Sequence, residues 1–187
     1  MMRCVQSALV IGLCIQIAPA LSASDSERVP PPMGFTMFCA KHPAECARRS
    51  GAQRPGDRLA LVAQWHELNE INTTVNASIA PEADAADFIN IDWHIFPREG
   101  NCADYAVTKR HLLRDAGWPS SSLMLAEVVI RATGEHHLIL IVKENGEYFA
   151  LDNRRPAIVK LAQALKDYMF VRAELGETSR LWTRRLT

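Results

Sequence analysis

His136-His137-Leu138-Ile139-Leu140-Ile141-Val142-Lys143-Glu144-Asn145-Gly146-Glu147-Tyr148-Phe149-Ala150-Leu151-Asp152 is the stretch on which the fold turns. Two apolar runs flank Asn145-Gly146, a dipeptide whose residues tolerate the positive φ that a tight hairpin turn demands. The segment therefore reads as two antiparallel strands, over 136–143 and 147–151. With a two-residue turn, Glu144 opposes Glu147, residue 139 faces residue 152, and residue 137 faces residue 154. Side chains alternate along a strand, so His137 shares a face with residue 139 and hence with Asp152. The two are diagonal neighbours, about 7–8 Å apart at the backbone and within reach at their tips. A carboxylate so placed fixes the tautomer of the imidazole and stabilises its protonated form. His136, on the opposite face in this register, is the rival base and the weaker one.

Working outward, Leu123 to Arg131 reads as a further buried strand. Before it a helix starts at Asn101 or Cys102 and runs to Ala116: Asn101 caps it, Asp104 falls in its first turn, and Gly117 and Pro119 end it. A longer helix covers Arg58 to Ile79, with Leu59, Val62, Trp65, Leu68, Ile71 or Asn72, Val75 and Ile79 as its apolar stripe and Pro81 as its stop. His66 and Glu67 sit beside that stripe without the second histidine of a zinc-protease helix, and read as surface or helix-flank residues. A short helix over 159–168 and a strand over 169–173 close the chain. Helices come first and an antiparallel sheet follows, so the class is α+β.

The N-terminus has the order of a secretory signal peptide: Arg3, an apolar run from Val5 to Ile17, then small residues. The run is short for a bilayer, which takes about 20 residues, so residues 1–23 are expected to be cleaved, after Ala20 or Ala23. No other window is apolar enough to span a membrane. Residues 24–34, with Pro30-Pro31-Pro32, read as an extended leader resistant to regular structure, and residues 35–187 as a single domain. A periplasmic or secreted location follows. Cys4 and Cys14 leave with the signal, and Cys39, Cys46 and Cys102 remain. In an oxidising compartment two of three pair. Cys39 and Cys46, seven residues apart around His42-Pro43, form the expected disulfide, which leaves Cys102 free.

The chain has 187 residues, 21 basic and 21 acidic, with formal net charge zero. This balance gives no reason to expect nucleic acid or an anionic membrane as partner. The basic pairs Arg154-Arg155 and Arg184-Arg185 read as solvated surface.

Cys102 opens its helix directly after Gly100-Asn101. A helix N-terminus carries partial positive charge and unpaired N–H groups, which favour thiolate and can hold an oxyanion. Cys102 as nucleophile, His137 as base and Asp152 as orienting acid make one constellation, with the Asn101 and Trp93 side chains as candidates for the oxyanion hole. Cys, His and Asp without a CxxC or HxxxH spacing do not make a metal site, and none is expected.

Gly100-Asn101-Cys102-Ala103-Asp104-Tyr105-Ala106 with Lys109 and Leu112, His137-Leu138-Ile139-Leu140, and Leu151-Asp152-Asn153 together resemble the bacterial transglutaminase-like cysteine proteinases. Ile71-Asn72, Val75-Asn76 and Asp92-Trp93 extend the resemblance to about residues 35–172. It implies a papain-like α+β fold, with the nucleophile's helix packed on an antiparallel sheet. It also implies cleavage of a protein substrate in the periplasm, where the best-known members trim large surface adhesins. Members that use calcium carry acids on both sides of the nucleophile. Asn101 and Ala103 stand there and offer a hard cation no charged oxygen, so no cofactor is expected and calcium is set aside. Two other readings share the constellation: a transglutaminase or amidase acting on side-chain amides through the same thioester, and a non-catalytic binding domain.

Overall fold

In the computed structural model of the chain, residues 28–48, 58–82, 92–175 and 178–186 are described. The expected signal peptide and its cleavage sites lie outside them. The chain enters through a two-residue strand β1 (Arg28–Val29) and three extended prolines, then forms the helices α1 (Met33–Lys41) and α2 (Pro43–Cys46). The leader expected to avoid regular structure thus contributes an edge strand and the first turn of α1. Proline at the edge of a sheet or ahead of a helix costs no internal hydrogen bond, which is why the three prolines fit between the two. A disulfide joins Cys39 to Cys46 across the α1–α2 corner, and Cys102 is the free cysteine among the described residues.

Helix α3 (Arg58–Ser78) follows. Its inner face is Leu68, Asn72 and Val75, continued by Ile79, while Val62 is 64% exposed and does not belong to the stripe. Short strands β2 (Ala80–Pro81) and β3 (Glu99–Gly100) pair in parallel just ahead of helix α4 (Cys102–Asp115). The remaining elements are β4 (Leu123–Ile130), β5 (His136–Glu144), β6 (Glu147–Leu151), β7 (Val159–Lys160), α5 (Leu161–Ala164), β8 (Tyr168–Leu175) and β9 (Thr178–Thr183). The short helix expected over 159–168 is reduced to α5, because Val159 and Lys160 pair with β6 instead.

Seven strands form one sheet in the order β1-β9-β8-β4-β5-β6-β7, each neighbouring pair antiparallel. The β5–β6 register pairs Glu144 with Glu147 and Leu140 with Leu151, as a two-residue turn requires, and Asn145 and Gly146 both have positive φ. Both faces of the central strands are covered, which explains their unbroken apolar runs. On one face Leu138, Leu140 and Val142 meet Ala103, Val107, Leu68 and the rings of Phe35, Phe38, Trp93, Trp118 and Trp182. On the other, Ile139 and Ile141 meet Met124, Val128, Leu161 and Tyr168. Each fully buried aliphatic or aromatic side chain contributes about 1.5–3 kcal/mol relative to exposure, so these two layers fix α4 and the hairpin against each other. The antiparallel sheet with helices packed on it is the α+β architecture expected from the sequence.

Candidate active site

The site begins at the start of α4. The Asn101 side chain accepts the Ala103 N–H (2.9 Å), and the Asp104 carboxylate accepts the Asn101 N–H (2.9 Å), which closes a reciprocal cap. The other Asp104 oxygen accepts the His94 N–H (2.7 Å) and so anchors the preceding segment. Burial pushes the Asp104 carboxyl up, and the two N–H donors oppose that. Gly100 is obligatory: a Cβ there would stand 2.6 Å from Asp104 Oδ2. The cap leaves the Cys102 side chain at the first helical position, partly buried against the core face of β5.

The backbone N–H groups of Leu138 and Ala103 lie beside the Cys102 thiol and favour its ionised form, while Asp152 and Asp104 disfavour it. Burial dominates, and the two carboxylates add to it, so the thiol is pushed up to about 12. The helix terminus was expected to lower it. Removal from water outweighs that effect, because the terminus supplies only partial charge to a site with little solvent. A lone thiolate here is costly, and its proton must pass to a neighbouring base as the sulfur reacts.

The hairpin brings His137 and Asp152 together. His137 Nε2 donates to Asp152 Oδ1 (2.8 Å), and their side chains are 4% and 0% exposed. With Nε2 carrying the proton toward the carboxylate, the acceptor lone pair of the neutral ring lies on Nδ1. Asp152 also accepts the Tyr168 hydroxyl (2.5 Å) and the Arg154 N–H (2.9 Å). Burial by itself would raise the carboxyl, but the donors, His137 first, hold it down to about 2. The ring of Tyr168 lies 5.6 Å from that of His137 and closes the pair on one side. Lys109, two turns along α4 from Cys102, is buried and feels Asp152; burial draws its amine down to about 7.

Other expected site residues are placed elsewhere. His136 Nδ1 is 2.6 Å from Glu127 Oε1 on the far side of the strand, away from Asp152. Trp93 is fully buried, 6.0 Å from Phe35 and 6.2 Å from Phe38, so its ring belongs to the core rather than to an oxyanion hole. The Asn101 oxygen is committed to the cap, which leaves the backbone N–H of Cys102 as the helix-terminal donor that the cap does not take. On the flank of α3, Glu67 accepts the Trp118 indole N–H (2.6 Å) and ties α3 to the end of α4.

Sequence reading missed the supports behind Asp152. Asn76 Nδ2 donates to the carbonyls of Asp152 (3.0 Å) and Arg155 (3.3 Å), and Asn72 Nδ2 to that of Pro156 (3.1 Å). The signal was there: Asn72 and Asn76 are amides one turn apart on the inner side of α3, and a polar group in an apolar stripe needs a specific partner. Tyr168 gave no comparable signal.

The model of one protein family, described as bacterial transglutaminase-like cysteine proteinase, matches residues 25–185. No curated protein sequence is significantly similar to the chain. Among solved structures, calcium-bound LapG of Legionella pneumophila is 22% identical, with TM-score 0.54 over 64% of this chain and 68% of LapG. A second LapG structure gives 22% and 0.55 over 66% and 69%, and EGTA-treated LapG gives 24% and 0.53 over 64% and 66%. These likenesses establish the shared fold. They also overturn the expectation that calcium can be set aside, since a relative of this fold is calcium-bound in one structure and EGTA-treated in another. The error lay in judging calcium from residues 101 and 103 alone; a flexible oxygen-ligand set draws on several segments and on backbone carbonyls. Among the described residues no cluster of three His, Cys, Asp or Glu side chains gathers in this chain, and both Asp104 oxygens already accept N–H groups.

Proposed function

Since the chain belongs to the bacterial transglutaminase-like cysteine proteinases and is therefore a cysteine peptidase, we propose that Cys102, His137 and Asp152 are its catalytic triad. The observation that carries this reading is the buried His137–Asp152 hydrogen bond, one residue from Leu138, whose N–H lies beside the Cys102 thiol. The Cys102 sulfur attacks the scissile carbonyl carbon while its proton passes to His137 Nδ1. The resulting oxyanion faces the Cys102 N–H at the helix terminus. His137 returns the proton to the leaving amine as the C–N bond breaks, which leaves a thioester. Water, deprotonated by the same Nδ1, then releases the acid and the thiol. Asp152 stays ionised throughout and stabilises the imidazolium, as its carboxyl near 2 favours.

The substrate is a polypeptide, and the enzyme works outside the cytoplasm as a single domain after loss of residues 1–23. The Cys39–Cys46 disulfide and the apolar run after Arg3 support that location; no helix among the described residues is long and apolar enough to cross a membrane. The test of the triad is Cys102→Ala. It should abolish peptide cleavage while leaving the circular dichroism spectrum and melting temperature close to wild type, and retained cleavage excludes the mechanism. Calcium is carried over from LapG: EGTA-treated protein should melt at a higher temperature once calcium is restored. An unchanged Tm removes calcium from the proposal.

A further inference from the structure

Beside the Asp152 site lies an open cavity of about 590 Å³ that the mechanism above does not use. Its charged lining is Arg131, Arg154, Arg155, Lys166 and Asp167, and Tyr168 forms part of its wall. Arg155 is engaged: it pairs with Asp167, its guanidinium lies 5.5 Å over the Tyr168 ring, and its Nε is 3.8 Å from Asp152 Oδ2. Arg131, Arg154 and Lys166 have no carboxylate partner among the described residues. Three cations without a carboxylate partner among the described residues thus converge on one concavity. Grouped in one concavity, they create a stronger local field than three scattered surface charges would.

The cavity adjoins the buried Asp152 through two shared residues. Tyr168 lines it and donates to Asp152, and the Arg154 backbone N–H donates to Asp152 Oδ1 while its side chain turns outward. An extended polypeptide advances about 3.3 Å per residue, so a substrate held at the triad carries its neighbouring side chains several ångströms to either side of the scissile bond. Arginine forks match carboxylates in a bidentate fashion.

We propose that this cavity is a specificity pocket for carboxylate side chains, so that the enzyme selects substrate segments carrying Asp or Glu on one side of the cleaved bond. The inference rests on the triad placed above. In the folded chain, Arg154 and Arg155, which read from the sequence as solvated surface, line a recognition surface.

Two measurements test it separately from the triad. In fluorescence anisotropy at low ionic strength, fluorescein-labelled hexaglutamate should bind at least about tenfold more tightly than hexaglutamine. An Arg131→Glu/Arg154→Glu double variant should lose that preference, and Arg131→Lys/Arg154→Lys should keep most of it. Both side chains are exposed, so the core is untouched. Equal binding of the two peptides, an unaffected double-Glu variant, or inorganic phosphate binding as tightly as hexaglutamate would overturn the proposal. In a random octapeptide library, wild-type products should be enriched in Asp and Glu at a fixed distance from the cut. Cleavage that depends on Cys102 but lacks that enrichment overturns the pocket and leaves the nucleophile standing. Cleavage undiminished in Cys102→Ala counts against the triad, while the binding measurement still decides the pocket.

Discussion

At the scale of single residues, the site sets a reactive sulfur against burial. A thiol held up to about 12 is inert at neutral pH by itself, so its reactivity depends on a neighbouring base. His137→Ala should therefore slow alkylation of Cys102 by iodoacetamide at pH 7 by about 100-fold or more, the low end of what a positioned base supplies. In that variant the rate should keep rising with pH beyond 10, since nothing but hydroxide then removes the proton. Stopped alkylation assays on the two proteins check this, and equal rates would mean that His137 does not serve the sulfur. The residue types of the proposed triad and their order came from the sequence. The direction of the thiol's shift was not, because it depends on how much solvent the folded neighbourhood removes.

At the scale of elements, α4 is held by more than its apolar stripe. Arg110 is buried on the inner side of α4. In the fold its guanidinium makes hydrogen bonds to both oxygens of Glu174 on β8 (3.2 and 3.1 Å) and to the Glu45 carbonyl on α2 (2.8 Å). Glu174 also accepts the Leu125 N–H of β4 (2.8 Å). Each side chain is 3% exposed, and burial pushes the Glu174 carboxyl up. Arg110→Ala strands that carboxylate in the core and should cost about 3–5 kcal/mol in urea unfolding. An Arg110→Met/Glu174→Leu double variant should recover most of the loss, since the pair's desolvation is then removed along with its attraction. A single variant within about 0.5 kcal/mol of wild type, the range of ordinary surface changes, contradicts this reading. Register was the element property that sequence determined best: Asn145-Gly146 demands a two-residue turn, and one turn fixes every partner along β5 and β6.

For the whole molecule, the buried Asp152 links the site to acid stability. Its carboxyl binds a proton more weakly in the folded state, near 2, than at its ordinary value of 3.8. Acid therefore favours the unfolded chain: the stabilisation is complete above pH 4 to 5 and is lost as pH falls toward 2. The shift corresponds to about 2 kcal/mol. Urea unfolding of wild type and Asp152→Asn should show a gap of that order at pH 6 which narrows toward pH 2.5. A gap independent of pH would show that the hydrogen bonds of Asp152, and not its charge, carry its contribution.

Local chemistry determined the hairpin, the capped start of α4 and the α+β class, and it singled out Cys102, His137 and Asp152 as the proposed triad, because turn dihedrals, helix caps and strand alternation act over a few residues. Long-range packing decided the rest. Tyr168 meets Asp152 across 16 positions, Asn76 reaches it across 76, and Glu174 meets Arg110 across 64. Such partners are chosen by which surfaces pack, and no local pattern records that. The same holds for Trp93, which packing assigns to the core, and for the Arg131–Arg154–Lys166 cavity, whose charges converge once β4, the turn after β6 and the approach to β8 are brought side by side.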